Sequence, residues 1–181
     1  MTVVGIIGSP HPFGNTGLLV RNVLSGAEEK GHKTKIFCLN ELEIKPLSAG
    51  SIKPYDVSFP NDDMTKILPY LEKMSALVLG TPIYYDHISA STKLLIDRLY
   101  YYETSGKTQI LPKNIPAVII VTYEWDDPNA YDEVANWMRG RLEHYWKMKV
   151  VVILKAEGTM KKPVPQRTEI LERAREIGRN L

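Results

Sequence analysis

Cysteine is nearly absent from this chain: Cys38 is the only one in 181 residues. A single thiol forms no internal disulfide, and one thiolate does not by itself hold a structural zinc or an iron-sulfur cluster. Any redox chemistry must therefore come from a bound organic cofactor. An excess of one charge is missing too. Lys and Arg number 23 against 21 Asp and Glu, a net charge of +2, which is too small to make a nucleic-acid backbone or an anionic membrane the main partner. The longest apolar runs, residues 118–121 and 150–154, fall far short of the roughly 20 residues of a membrane helix. The opening MTVVGIIGSP has no basic stretch ahead of a long apolar core and a cleavage site, so a soluble protein with a cytoplasmic address is expected. Repeats, linkers and low-complexity tracts are lacking as well. With 44% hydrophobic and 24% charged residues the composition is globular, and the length suits one domain over residues 1–181.

What is present is an alternation. Short, nearly all-apolar segments at 3–8, 34–39, 76–81, 117–122 and 149–154 read as strands buried on both faces. Between them, apolar residues recur at three and four over 15–30, 63–74, 89–102, 127–147 and 164–181, the period of helices. Gly31 supplies a stop for the first helix, Asn61 and Asp62 offer caps for the second, and Asp127 followed by Pro128 reads as a start for the fourth. No hairpin signal interrupts the pattern. Five strands alternating with five helices predict an α/β fold: a doubly wound five-stranded parallel sheet in a three-layer α/β/α arrangement. Ligands of such sheets sit beyond the carboxyl ends of the strands, which directs attention to three loops.

The first, GSPHPFGNT over residues 8–16, ends on a helix N-terminus, where unpaired N–H groups and the helix dipole favour an anion. It is not the NTPase loop, since five residues separate Gly8 from Gly14 and Asn15 stands where a lysine belongs, nor does it match G-x-G-x-x-G. Ser9, Asn15 and Thr16, with backbone N–H groups and the stiffening Pro10 and Pro12, make a cradle suited to a monophosphate without a metal. They are equally ordinary turn and cap residues, and His11 reads either as a phosphate ligand or as an exposed turn histidine. The second loop, within GTPIYYDHISASTKLLIDR at 80–98, sends Pro82, Ile83, Tyr84 and Tyr85 out of a buried strand, as expected where something flat packs. The third, TYEWDD at 122–127, offers Tyr123 and Trp125 for stacking, while Glu124, Asp126 and Asp127 read as solvated or capping carboxylates before they read as metal ligands.

GSPHPFGNT together with the later PIYY, Lys93, Asp97 and Arg98 resembles the NADPH-dependent FMN reductase superfamily on the flavodoxin-like fold. The likeness covers roughly residues 3–103, and within that superfamily Asp62, Asp63 and Met64 resemble the DDM that follows the compact cysteine motif of the iron-sulfur flavoproteins. Residues 47–59, LSAGSIKPYDVSF, carry no cysteine, so no iron-sulfur cluster is carried over. His11 stands where the family usually has arginine. The resemblance implies FMN phosphate contacts from Ser9, His11, Gly14, Asn15 and Thr16. It further implies that Thr81, Pro82, Ile83, Tyr84 and Tyr85 lie along the flavin ring, with Thr122, Tyr123 and Trp125 supplying the third loop. One of Tyr84 and Tyr85 is expected to face the ring and the other to face away, because successive strand residues alternate.

Lys93, Asp97 and Arg98 are read as a local ion-pair edge on their helix. His87 reads either as a hydrogen-bond donor to the ring edge or as a residue without a role, and Cys38 as inert packing. The flavin carries the chemistry, so no catalytic side chain is assigned. The activity implied is an oxidoreductase that takes hydride from NADPH or NADH and passes electrons to a small acceptor such as a quinone or flavin. The alternative is a flavodoxin-like electron carrier serving protein partners. A homodimer or homotetramer is expected, with the aromatic run Tyr100, Tyr101 and Tyr102 as a candidate interface.

Overall fold

The computed structural model describes residues 1–47, 61–100, 102 and 110–181; the cysteine-free segment from 48 onward and Tyr101 lie outside them. Among the described residues six strands are present: β1 (Thr2–Ile7), β2 (Lys33–Cys38), β3 (Ala76–Tyr84), β4 (His87–Ile88), β5 (Pro116–Thr122) and β6 (Lys149–Ala156). The long helices are α1 (Asn15–Glu29), α2 (Met64–Leu71), α3 (Ala90–Arg98), α4 (Asp132–Gly140) and α5 (Thr168–Arg179). Five strands pair in parallel in the order β2-β1-β3-β5-β6, the flavodoxin-like order whose direction reverses beside β1.

Side chains alternate across the sheet, so each strand feeds two cores. Val4, Ile6, Leu77, Leu79, Ile119 and Val121 face α2, α3 and α4, while Val3, Ile7, Val78, Val118 and Ile120 face α1 and α5. Tyr102 belongs to the first core and is fully buried, its phenol donating to Glu72 Oε1 at 3.0 Å. Cys38 is buried in the second core, and burial pushes its thiol up, consistent with packing. Among the described residues no helix is long and apolar enough to cross a membrane.

Three elements depart from the sequence reading. β3 continues through Tyr84 and folds back on β4, with Ile83 opposite Ile88 and Tyr84 opposite His87. The turn places Tyr85 at φ 47° and Asp86 at φ 61°, the signature of a type I′ hairpin that ordinarily carries Asn-Gly or Asp-Gly. That chemistry is absent here, which is why no hairpin signal was visible. The helix expected over 127–147 is shorter. Asp127 accepts the Asn129 N–H at 2.8 Å and caps a separate turn, α4 begins at Asp132, and a π-helical turn (Arg141–Tyr145) replaces its end. The last helix is also divided, by Arg167 at φ −116° and ψ 78°, into a 3-10 turn (Val164–Gln166) and α5.

Lys93 and Asp97 pair on α3 at 2.6 Å as expected, but Arg98 turns inward instead. Its guanidinium donates to Asp62 and, at 2.6 Å, to Lys45 O, and the two paired side chains are 8% and 2% exposed. Asp62 also accepts the Lys45 N–H at 2.9 Å and the Met64 N–H at 3.0 Å, so it caps α2 while tying it to α3. Burial pushes the Asp62 carboxyl up, but these donors outweigh it and hold the group below its ordinary 3.8. Asp62→Asn strands the Arg98 charge and is expected to cost about 3–5 kcal/mol. The wild-type carboxylate contributes fully above pH 3.8, and that contribution is lost as the pH falls through its lower folded-state value. Urea denaturation across the acid range should therefore show a steeper loss for wild type than for Asp62→Asn; parallel curves would contradict this.

Candidate functional site

The carboxyl ends of β1, β3, β5 and β6 open onto a cleft of about 680 Å³. Every residue expected there lines it except Thr81: Ser9, His11, Gly14, Asn15 and Thr16 from the first loop, Pro82, Ile83, Tyr84 and Tyr85 from the second, and Thr122, Tyr123 and Trp125 from the third. Thr81 is fully buried beneath the floor, where its hydroxyl accepts the Ser89 N–H at 3.1 Å and donates to Pro82 O at 3.0 Å.

The floor is built from close backbone approach and buried hydroxyls. The Gly8 N–H donates to Gly80 O at 2.8 Å, and the Ser89 hydroxyl donates to Gly8 O at 2.6 Å. Its single proton being used, Ser89 Oγ accepts from the Thr92 hydroxyl at 2.9 Å and from the Thr92 N–H at 3.2 Å, which caps α3. A Cβ on Gly8 would lie 1.8 Å from Thr92 Oγ1, and one on Gly80 2.6 Å from Val20 Cγ2; only glycine fits at either crossing. Thr16 and Thr122 share a buried hydroxyl–hydroxyl bond of 2.6 Å, which fastens the first turn of α1 to the end of β5.

Above this floor the N-terminus of α1 points into the cleft. Gly14 is its cap residue, no side chain caps the helix, and its first turn holds no acid. The first intrahelical bond runs from Leu18 N–H to Gly14 O at 2.9 Å, leaving the Asn15, Thr16 and Gly17 N–H groups without an intrahelical acceptor. Two side chains expected at the phosphate, and read equally as turn and cap residues, have structural tasks. Asn15 Oδ1 accepts the Val164 N–H at 2.9 Å, which leaves its Nδ2 as the donor toward the cleft, and Ser9 Oγ accepts the His11 N–H at 3.1 Å.

The walls are aromatic. Tyr84 and Tyr85 both line the cleft, at 47% and 104% relative exposure. Strand alternation stops at Tyr84, and Tyr85 takes left-handed backbone at the turn. Trp125 is 63% exposed at the opposite rim, whereas Tyr123 is buried. The Tyr123 phenol donates to Pro128 O at 3.0 Å, and burial, reinforced by Glu157, Asp132 and Asp127, pushes it up to about 12. His87 lies outside the cleft lining, its ring edge-to-face on Trp137 at 5.1 Å.

Four further residues complete the lining: Asp86, Glu124, Tyr131 and Thr159. Tyr131 packs edge-to-face on Tyr123 at 4.9 Å and donates its phenol proton to Asp86 Oδ1 at 2.9 Å, bridging the hairpin to the third loop. Thr159 donates both its N–H and its hydroxyl to Tyr123 O at 3.0 Å. The loop after β6 thus braces the third loop, a part that only attention to the fourth strand end could have flagged. Glu124, Asp126 and Asp127 do not converge: Asp126 pairs with Lys161, and among the described residues no group of three His, Cys, Asp or Glu could hold a metal ion.

The Thr16–Thr122 bond yields a direct test. Thr16→Val or Thr122→Val alone should cost about 1–3 kcal/mol in urea denaturation, by stranding the remaining hydroxyl. The double substitution should cost less than the sum by about 1 kcal/mol, and strict additivity would mean that the hydroxyls do not interact.

Residues 1–123 match the family model described as NADPH-dependent FMN reductase. An iron-sulfur flavoprotein of Methanocaldococcus jannaschii is 37% identical over 99 residues, covering 54% of this chain and 51% of that protein. One of Archaeoglobus fulgidus is 27% identical over 139 residues, covering 76% and 60%. The chain thus spans about half the length of the first of these relatives. Among solved structures, an NAD(P)H:quinone oxidoreductase from Methanothermobacter marburgensis superposes with a TM-score of 0.77 at 18% identity, over 99% of this chain and 95% of that one. A flavone reductase does so with a TM-score of 0.75 at 20% identity, over 99% and 61%. At these identities the superpositions establish the shared flavodoxin-like fold.

Proposed function

The chain belongs to the NADPH-dependent FMN reductase family, and from that membership we propose that it is an FMN-dependent oxidoreductase taking hydride from NAD(P)H and passing electrons to a small acceptor such as a quinone. The observation that carries this reading is an uncapped, acid-free helix N-terminus opening into an aromatic-walled cleft at the carboxyl edge of the sheet. Its donor set fits a phosphate monoester: the backbone N–H groups of the α1 first turn that line the cleft, the Asn15 amide and His11, with no basic side chain needed for the helix end to favour an anion. The second loop fits a flat ring, since Pro82 and Ile83 extend a strand edge and Tyr84 and Tyr85 stand beside it.

Bound FMN would accept and release the hydride equivalent. The protein's part is to position it. The helix end and Asn15 hold the phosphate, the Ser89–Gly8–Thr92 bonds keep the α3 and β1 ends fixed beneath the ring, and the hairpin excludes water from one flank. The chain's single cysteine leaves the iron-sulfur cluster named in its relatives without the ligands it takes. The net charge of +2 lacks the strong acidity by which electron carriers steer to protein partners, which favours a small acceptor.

FMN-saturated protein is expected to oxidise NAD(P)H with menadione as acceptor. Tyr84→Ala and Tyr85→Ala should lower turnover or FMN affinity about 2- to 10-fold, while the Phe variants retain both, because the aromatic face contributes about 0.5–1.5 kcal/mol. A protein that binds FMN yet oxidises neither dinucleotide would fall to the electron-carrier reading.

A further inference from the structure

We propose that the mouth of the cleft selects against a second phosphate ester, so that the protein takes NADH in preference to NADPH; this rests on reading the cleft as a flavin site with a nicotinamide dinucleotide as donor. The cleft has electrostatically opposite ends. The inner end presents the N–H groups of the α1 first turn and attracts an anion. The outer end presents two exposed carboxylates, Asp86 on the hairpin turn and Glu124 after β5.

Recognition of a 2′-phosphate ordinarily uses a guanidinium or ammonium group. Among the described residues that line the cleft there is no lysine or arginine. The cations of the neighbouring loops are committed elsewhere. Lys155 pairs with Asp132, Lys161 with Asp126, and Arg167 with Glu157 at 2.9 Å. Arg21 lies over the Phe13 ring at 4.6 Å. Lys162 is exposed on the loop after β6 and does not line the cleft. Asp86, by contrast, is fixed. Its Oδ1 accepts the Tyr131 phenol at 2.9 Å, and its hairpin is braced by His87 on Trp137 at 5.1 Å.

Both dinucleotides carry the same diphosphate, so its repulsion cancels in the comparison. The extra ester of NADPH adds about 1.5–2 negative charges. Two carboxylates in the same wet cleft disfavour it, by about 10-fold at low salt and by less as screening grows.

The test compares kcat/KM for NADH and NADPH on FMN-saturated protein at low and physiological ionic strength. Calorimetric dissociation constants for ADP-ribose and 2′-phospho-ADP-ribose accompany it. NADH should be favoured about 10-fold at low ionic strength, with the gap narrowing as salt rises, and ADP-ribose should bind more tightly than its 2′-phospho form by a similar factor. Asp86→Asn combined with Glu124→Gln should bring both ratios toward one. A preference for the phosphorylated ligands, ratios unmoved by the double substitution, or selective loss of NADPH use in Lys162→Ala would each overturn the proposal. If neither dinucleotide is oxidised, the oxidoreductase reading fails, while the ADP-ribose pair still decides the charge selection by binding alone.

Discussion

The site depends on one steric constraint, the seating of helix side chains directly on the strand backbone at Gly8 and Gly80. Because neither position carries a Cβ, two helices descend directly onto the paired ends of β1 and β3. α3 arrives through Thr92 and Ser89, whose hydroxyls are consumed by Gly8 O and by each other. α1 arrives through Thr16 and Val20 against Gly80, and Thr16 then reaches β5 through Thr122. A methyl group at either glycine would push a helix N-terminus away from the sheet edge. With it would go the alignment of the N–H groups that make this edge attractive to an anion.

The polar economy of the cleft follows from that floor. Most of its threonine and serine hydroxyls are tied into structure below, so recognition from above falls mainly to backbone N–H groups, one amide, His11 and aromatic faces. Carboxylates gather only on the two outer loops, and most of those near the rim are matched by lysines or turn N–H groups. Asp86 is matched instead by a phenol, which keeps its charge while fixing its place. The result is a cavity that sets helix N–H groups against two exposed carboxylates, on a chain whose overall balance gives no hint of the division.

The sheet and the α1 terminus were legible in the sequence because they depend on local rules, buried apolar runs, helical spacing, and glycine and proline at strand ends, whereas most of the cleft lining was expected from the family resemblance. What escaped depends on tertiary contact. Tyr85 and Asp86 adopt left-handed backbone without glycine, held by Tyr131 and Trp137 from a distant helix region. Arg98 sits at the spacing of a surface ion pair, yet its partner, Asp62, is 36 residues away in sequence. Thr159 lies past β6, where the sequence offers no Gly-rich or aromatic signal. Asn15 and Thr16 were identifiable as cleft residues, but their bonds to Val164 and Thr122 join segments that no periodicity connects.

The account stands or falls on whether the α1 N-terminus holds the phosphate of a flavin. Fluorescence titration of the flavin-free protein with FMN and with riboflavin isolates that group, since the two ligands share the ring and differ in the phosphate. Charge-assisted bonds to several N–H donors predict that FMN binds on the order of 100-fold more tightly. Equal affinity for the two would contradict the central claim and leave the helix terminus without the role its geometry suggests.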